Sequence, residues 1–361
     1  MLPRMISAAP RARPVLTARP RQGMHRDSEI FTLWGSLLMG EMHANTKLPW
    51  AEGSLPLMLA PMQGLTNRAL RALFIERVRP DVVFTEFVRV KASTKKNITA
   101  NDRQEVAGTH GGVPLVVQLI GTDTEALLAA ANTVQELGAE HLNINLGCPY
   151  GRMTSQTAGG ALLREPIALA RMLAALRQEI RGSFSVKVRS GFDDPAQIFS
   201  LLTIFAESGI DFLVVHPRTV KQMYAGPADH AITAEVVRQT PLPVIANGDI
   251  FTAAIGQRVL AETGAAGLML GRGAIADPLL FERLRGRYPE GSIPAAKVAE
   301  LRDYLQALLG RYQALFCGEH QILCKMKEVL CHVHDPEVAP LARQLKRSKS
   351  LAQFGELLIS S

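Results

Sequence analysis

A few residues of this 361-residue chain combine type and setting in ways that suit chemistry. Cys148 stands between Gly147 and Pro149, far from the other three cysteines, and opens a Gly-containing loop that runs from Gly151 to Gly160. A thiol so placed serves as nucleophile or as proton donor; the alternative is a buried bystander. Lys187 lies in SVKVRSG (185–191), where Val186 and Val188 point one way and Lys187 and Arg189 the other. A lysine buried mid-strand without a partner sheds its proton, so either an anionic or electron-rich ligand or an internal salt bridge must accompany it. Asn247-Gly248-Asp249 and Gly271-Arg272-Gly273 place glycines where backbone N–H groups can approach an anion, with Arg272 adding charge. Two ordinary tight turns are the plainer alternative. His216, beside Arg218, and Gln118, whose amide could pair with a polar ring edge, complete the set.

The elements that would position these residues form a regular alternation. Short β-rich runs occur at 55–62, 82–89, 114–121, 141–148, 185–191, 212–219, 243–250 and 267–274. Amphipathic, Ala- and Leu-rich stretches such as 122–137, 166–180, 195–208 and 251–262 separate them. Eight βα beats predict an α/β fold, a closed (β/α)8 TIM barrel of residues 55–288, rather than an open sheet. A barrel gathers its site at the C-terminal ends of the strands. Met62, Gln63, Arg89, Gln118, Asn145, Cys148, Lys187, Arg189, His216, Asn247 and Arg272 all fall at or near such ends. Polar groups there are costly to bury unless they bind something, so they predict one shared site. A flavin suits Lys187, because a lysine near the ring's N1–C2 edge stabilises the charge of the reduced form.

After Arg287 the rhythm stops, and Pro289, Gly291 and Pro294 mark a linker. Residues 295–361 read as a small all-helical domain with a basic cluster at Arg343, Lys346, Arg347 and Lys349. Of the net charge of +7, the first 26 residues carry +6 and residues 281–361 carry +3, which leaves the main body at −2. A polyanion-binding surface must therefore be local. Residues 1–50 are expected to be a disordered arm or the product of a start placed upstream of Met39 or Met42, since three prolines within 10–20 oppose the helix of a transit peptide. No apolar run approaches the roughly 20 residues that span a bilayer. Four cysteines point to a reducing compartment rather than a disulfide framework. Cys317, Cys324 and Cys331, seven apart, predict a buried stripe on one helix face. Zinc is disfavoured, because seven helical residues span roughly 10 Å whereas thiolates lie about 2.3 Å from the metal.

The strings APMQGLTN (60–67), TEFVRV (85–90), VVQL (116–119), NINLGCP (143–149), GGALL (159–163), KVRSG (187–191), HPRT (216–219), ANGDI (246–250) and GRGA (271–274) occur in this order. Together they resemble the bacterial tRNA-dihydrouridine synthases, and TEFVRV resembles the C-type subgroup, which acts on uridine 16 of the D loop. The resemblance implies bound FMN, reduced by NADPH, with NADH an alternative reductant. It implies that Pro61, Met62, Gln63, Gln118, Lys187, His216, Asn247, Gly248, Asp249, Gly271 and Arg272 hold FMN. Cys148 would be the proton donor. Arg89, Asn145 and Arg189 would contact the target uridine or its neighbours, and Lys325 and Lys327 the RNA bound by the helical domain. The implied protein is a cytoplasmic monomer that acts on tRNA, with no membrane and no protein partner. Two other readings compete: another FMN-barrel pyrimidine oxidoreductase such as a dihydroorotate dehydrogenase, and a non-enzymatic RNA-binding protein on a decayed barrel.

Overall fold

The computed structural model describes residues 48–91, 98–107, 111–149, 158–289 and 293–359. Residues 1–47 of the expected arm 1–50, and residues 150–157 of the loop after Cys148, lie outside the described residues.

Strands form where the β-rich runs predict them: β1 (Leu57–Leu59), β2 (Val82–Phe84), β3 (Val88–Arg89), β4 (Leu115–Ile120), β5 (His141–Leu146), β6 (Ser183–Gly191), β7 (Phe212–Thr219), β8 (Val244–Asn247) and β9 (Gly267–Leu270). Every pairing is parallel. β1 pairs with both β2 and β9, and β2 with β4, so eight strands close into a barrel. The run 82–89 divides. β2 joins the barrel, while the two-residue β3 extends only the end of β4, through Val88 opposite Leu119 and Arg89 opposite Ile120.

Strand parity sorts the side chains. Leu142, Ile144, Leu146, Val186 and Val188 face outward and join a core with helical residues such as Leu127, Leu173 and Phe205. The inward parity is divided. Met58, Val82, Phe84, Val116, Phe212, Val214, Ile245 and Met269 form an apolar interior layer. On β4, β5 and β6 the inward positions above it are polar: Gln118, Asn143, Asn145, Ser185 and Lys187. The helices wrapping the barrel include α1 (Arg68–Val78), α2 (Ala100–Val106), α3 (Thr124–Glu136), α4 (Pro166–Glu179), α5 (Gln197–Glu207), α6 (His230–Gln239) and α7 (Ala253–Thr263). Side-chain caps start several of them, with Asn67 accepting from Ala69 and Leu70 N–H, and Asp123 from Ala126 N–H.

Two short helices, α8 (Arg272–Ala276) and α9 (Leu280–Leu284), lead to a C-terminal all-helical region: α10 (Pro294–Leu315), α11 (Glu319–Leu330), α12 (Ala339–Lys346) and α13 (Leu351–Ile359). One hydrophobic cluster runs from Leu57 and Leu59 of β1, through Phe74 of α1, to Tyr304, Leu308, Met326 and Phe354 of these helices. The expected buried cysteine stripe is not observed: Cys317, Cys324 and Cys331 are all exposed. Nor do the three share one helix, since Cys317 lies between α10 and α11, Cys324 within α11 and Cys331 at its C-terminal cap. The buried face of α11 is Ile322, Leu323, Met326, Val329 and Leu330. Among the described residues, no helix is long and apolar enough to cross a membrane.

Candidate active site

The polar inward positions form a connected hydrogen-bond ladder. Gln118 N–H donates to Thr85 Oγ1 at 3.0 Å, and Gln118 Nε2 to Asn143 Oδ1 at 2.8 Å. Asn143 Nδ2 donates to Ser185 Oγ at 2.8 Å, and Asn145 Nδ2 to Gln118 Oε1 at 2.8 Å. Buried amides locked in this way hold a fixed orientation. Among the described residues these bonds use one amide N–H and one lone pair of Gln118 and leave one of each over. Asn145 reaches further, because its Oδ1 accepts from the backbone N–H of Gly147 at 3.0 Å and of Cys148 at 2.9 Å. The thiol-bearing loop is thereby tied to the end of β5.

Lys187 Nζ donates to Asn247 Oδ1 at 2.9 Å, while Asn247 Nδ2 donates to the Met269 carbonyl at 2.8 Å. Three strands thus share one contact. Among the described residues no carboxylate pairs with Lys187, so the internal salt bridge weighed from the sequence is not what holds it. Burial lowers its amine to about 7, and the charge of Arg189 pushes the same way. Cys148 acts in the opposite direction, which places the sulfur within electrostatic reach of the amine. His216, at the end of β7, is held well below its ordinary pKa by burial first and then by Lys187, Arg189, Arg218 and Arg272. It is therefore neutral near pH 7, and its Nε2 accepts from Arg218 Nη1 at 3.0 Å.

The loops after β8 and β9 meet through Asp249. Its carboxylate accepts from Arg218 at 3.1 and 2.5 Å, from Arg272 at 2.7 Å and from the Ala228 N–H at 2.8 Å. Burial alone would raise its pKa. The Arg218 hydrogen bond, the Ala228 N–H and the two guanidinium charges outweigh it and leave the carboxyl low. Two arginines on one carboxylate leave an excess positive charge at this corner. Gly248 has φ of 124°, and a Cβ there would lie 2.9 Å from His216 Cδ2. Glycine is needed both for the backbone conformation and for the approach of the imidazole.

Pro61 and Met62 are half-buried and Gln63 is exposed on the turn after β1. Met62 Sδ lies 3.2 Å from where a Cβ on Gly271 would stand, so this turn and the β9 loop touch. The expected RNA-facing residues divide. Arg89 is exposed on β3. Arg189, only 2% exposed, donates to the carbonyls of Gly147 at 2.8 Å, Thr219 at 3.0 Å and Met223 at 2.6 Å. Lys325 Nζ donates to the Gly64 carbonyl and Lys327 Nζ to the Ser348 carbonyl. The sequence reading missed Arg218 as a site member and missed Tyr224 altogether. Tyr224 is 45% exposed, with the guanidinium of Arg272 4.8 Å and that of Arg189 5.4 Å from its ring centre. An isolated tyrosine between β7 and α6 carries no spacing signal, because its neighbours come from other loops.

The donor set suits a ligand that joins an electron-rich ring to an anion. Among the described residues Lys187 has no carboxylate partner, Gln118 and Asn247 offer oriented amides, and Arg218 and Arg272 supply the excess charge at the corner. A cavity of about 840 Å³ lies elsewhere, at the opposite mouth, lined by Trp50, Asp81, His141 and Ser183 and by none of these groups.

Barrel and site together define a class: a (β/α)8 protein whose C-terminal mouth gathers a cationic, amide-rich pocket beside a thiol. Residues 58–353 match the family model described as dihydrouridine synthase (Dus). The chain is 34% identical over 273 residues to a tRNA-dihydrouridine(16) synthase of Cupriavidus necator, covering 73% of this chain and 84% of that one. It is 36% identical over 313 residues to a tRNA-dihydrouridine(16) synthase of Pseudomonas putida, covering 84% and 96%. A tRNA-dihydrouridine synthase B of Xanthomonas axonopodis is 33% identical over 273 residues, covering 73% and 79%. The chain belongs to the dihydrouridine synthase family.

Proposed function

We propose that this chain reduces a uridine of transfer RNA, at D-loop position 16, to 5,6-dihydrouridine, with FMN at the C-terminal mouth of the barrel and NADPH as reductant. The observation that carries the reading is Lys187, an inward-facing amine that donates to the oriented amide of Asn247, feels the charge of Cys148 and, among the described residues, has no carboxylate partner. Position 16 draws support from the relatives named for it, one of which is spanned to 96% of its length.

FMN, when bound and reduced, supplies a hydride to C6 of the uracil ring. Everything else falls to this chain's residues. Lys187, Gln118, Asn247 and His216, with the turn Pro61–Gln63, would hold the ring, and Gly248, Asp249, Gly271 and Arg272 the phosphate. A uracil flipped from its stack would enter over that pocket. As charge builds on C5 and the C4 carbonyl, the Cys148 Sγ–H bond breaks and its proton goes to C5. Asn145, through its bonds to the backbone of Gly147 and Cys148, sets where that thiol stands. Arg189 braces the same loop through the Gly147 carbonyl.

The decisive experiment maps dihydrouridine in tRNA from a strain lacking this gene, alongside the absorption spectrum of the purified chain. Loss of the modification at position 16 and a yellow protein are expected. An unchanged dihydrouridine map, or a colourless protein that does not take up FMN, would refute the reading.

A further inference from the structure

The turn after β1 is gripped from two directions that chain order does not connect. Gly64 has φ of 84°. Its N–H donates to Glu86 Oε2 at 2.9 Å, from the end of β2, and its carbonyl accepts from Lys325 Nζ at 2.7 Å, from α11. Lys325 is further fixed by Glu328 Oε2 at 2.9 Å. A Cβ on Gly64 would lie 3.0 Å from Glu328 Oε1 and 3.2 Å from Lys325 Nζ, so α11 presses directly on the turn. On the other side Met62 N–H donates to Thr66 Oγ1 at 2.8 Å, and the buried Arg71 donates to the Thr66 carbonyl at 2.8 Å.

Glu86 is an expensive group to keep here. Its Oε1 is buried and, among the described residues, has no hydrogen-bond partner. Burial raises its carboxyl to about 7, against the opposing pull of the Gly64 N–H and of Lys325. A buried acceptor left half-satisfied destabilises the fold. Its visible return is a fixed Gly64.

We infer that Glu86 and Lys325 are positioning residues of the cofactor site, which together fix the turn Pro61–Gly64 and make α11 part of that site's frame. The inference rests on the reading that this turn holds FMN. It gives Lys325 a task other than gripping RNA, since its amine is turned onto the barrel.

The test measures FMN affinity, the visible circular dichroism of bound FMN, and RNA affinity at FMN saturation in the full-length protein. Lys325→Ala should weaken FMN about tenfold, as expected for loss of one charge-assisted hydrogen bond felt through a turn. It should alter the dichroism of bound FMN and leave RNA affinity and its salt dependence unchanged. Lys325→Arg should restore most of the loss. Glu86→Ala should act as Lys325→Ala does, while Glu86→Gln, which keeps an oxygen for the Gly64 N–H, should bind FMN nearly as the parent does. The double Ala variant should lose less than the product of the two single losses, because both act on one turn. If Lys325→Ala keeps its FMN affinity but loses RNA affinity with a shallower salt dependence, the lysine is an RNA contact and the inference falls. Equal FMN affinity in Glu86→Ala and Glu86→Gln overturns it independently. Should the parent itself bind no FMN, the functional reading fails instead.

Discussion

Cys148 owes its place to backbone contacts, since Asn145 holds its N–H and its carbonyl accepts from Gly160 N–H at 3.3 Å. Removing the sulfur therefore disturbs chemistry more than structure. Cys148→Ala should bind FMN and be reduced by NADPH as the parent is, while uridine reduction in a single turnover slows by about 10²-fold or more, the usual worth of a general acid. Parent-like turnover in that variant would remove Cys148 from the mechanism. Lys187 gives a pH signature. Its amine, lowered by burial to about 7, is protonated below that pH and neutral above it in the free protein. An electron-rich ligand favours the ammonium form, so binding raises the pKa and takes up a proton once the pH exceeds about 7. FMN affinity should accordingly be flat just below pH 7 and fall as pH rises towards about 9. Lys187→Met should bind more weakly and without that fall. A profile equally steep in both proteins would assign the titration to another group.

At the scale of elements, Phe74 of α1 joins the barrel to the C-terminal helices. Its ring meets Phe281 at 6.0 Å and Tyr304 of α10 at 6.4 Å, both edge-on, within the shared hydrophobic cluster. Phe74→Ala should cost about 3–5 kcal/mol, and because the cluster is continuous the variant should still melt in one transition, at lower temperature. A calorimetric trace that splits in two would show that barrel and helices unfold separately. The outlines of these elements were legible in the sequence, for a simple reason. Alternation such as Leu142–Asn143–Ile144–Asn145 is a local signal, and strand parity turns it directly into an inside and an outside. The inward set Gln118, Asn145, Lys187, His216 and Asn247 could be read for the same reason. What could not be read depends on which distant elements meet. The Lys325 contact spans 261 positions. Tyr224 gains meaning only from arginines on two other segments. Three cysteines at seven-residue spacing would share a face only if one helix ran through all of them, and the break between α10 and α11 leaves Cys317 outside it.

Charge is distributed over the whole molecule in a way that constrains how it could hold a polyanion. The net charge of +7 resides in the first 26 residues and in the C-terminal region, whereas residues 27–280 carry −2. The barrel thus offers RNA a local corner rather than a basic surface. In the C-terminal region Arg343 and Arg347 are both exposed, one turn apart at α12 and its C-terminal cap, beside a recess of about 350 Å³ that they share with Gln344 and Gln353. Lys325 and Lys327, by contrast, are both bonded to backbone carbonyls within the chain. If phosphate contacts carry RNA binding, affinity must fall with salt by an amount set by the number of cations engaged. Replacing both Arg343 and Arg347 by Gln should flatten the plot of log affinity against log salt by about 1.4 to 1.8, at about 0.7–0.9 per lost phosphate contact. FMN affinity and the rate of flavin reduction should stay at the parent's values, because the recess these two side chains line is made of C-terminal residues alone. An unaltered salt slope in the double variant would move the RNA-binding surface away from α12 and towards the rim that carries Arg89.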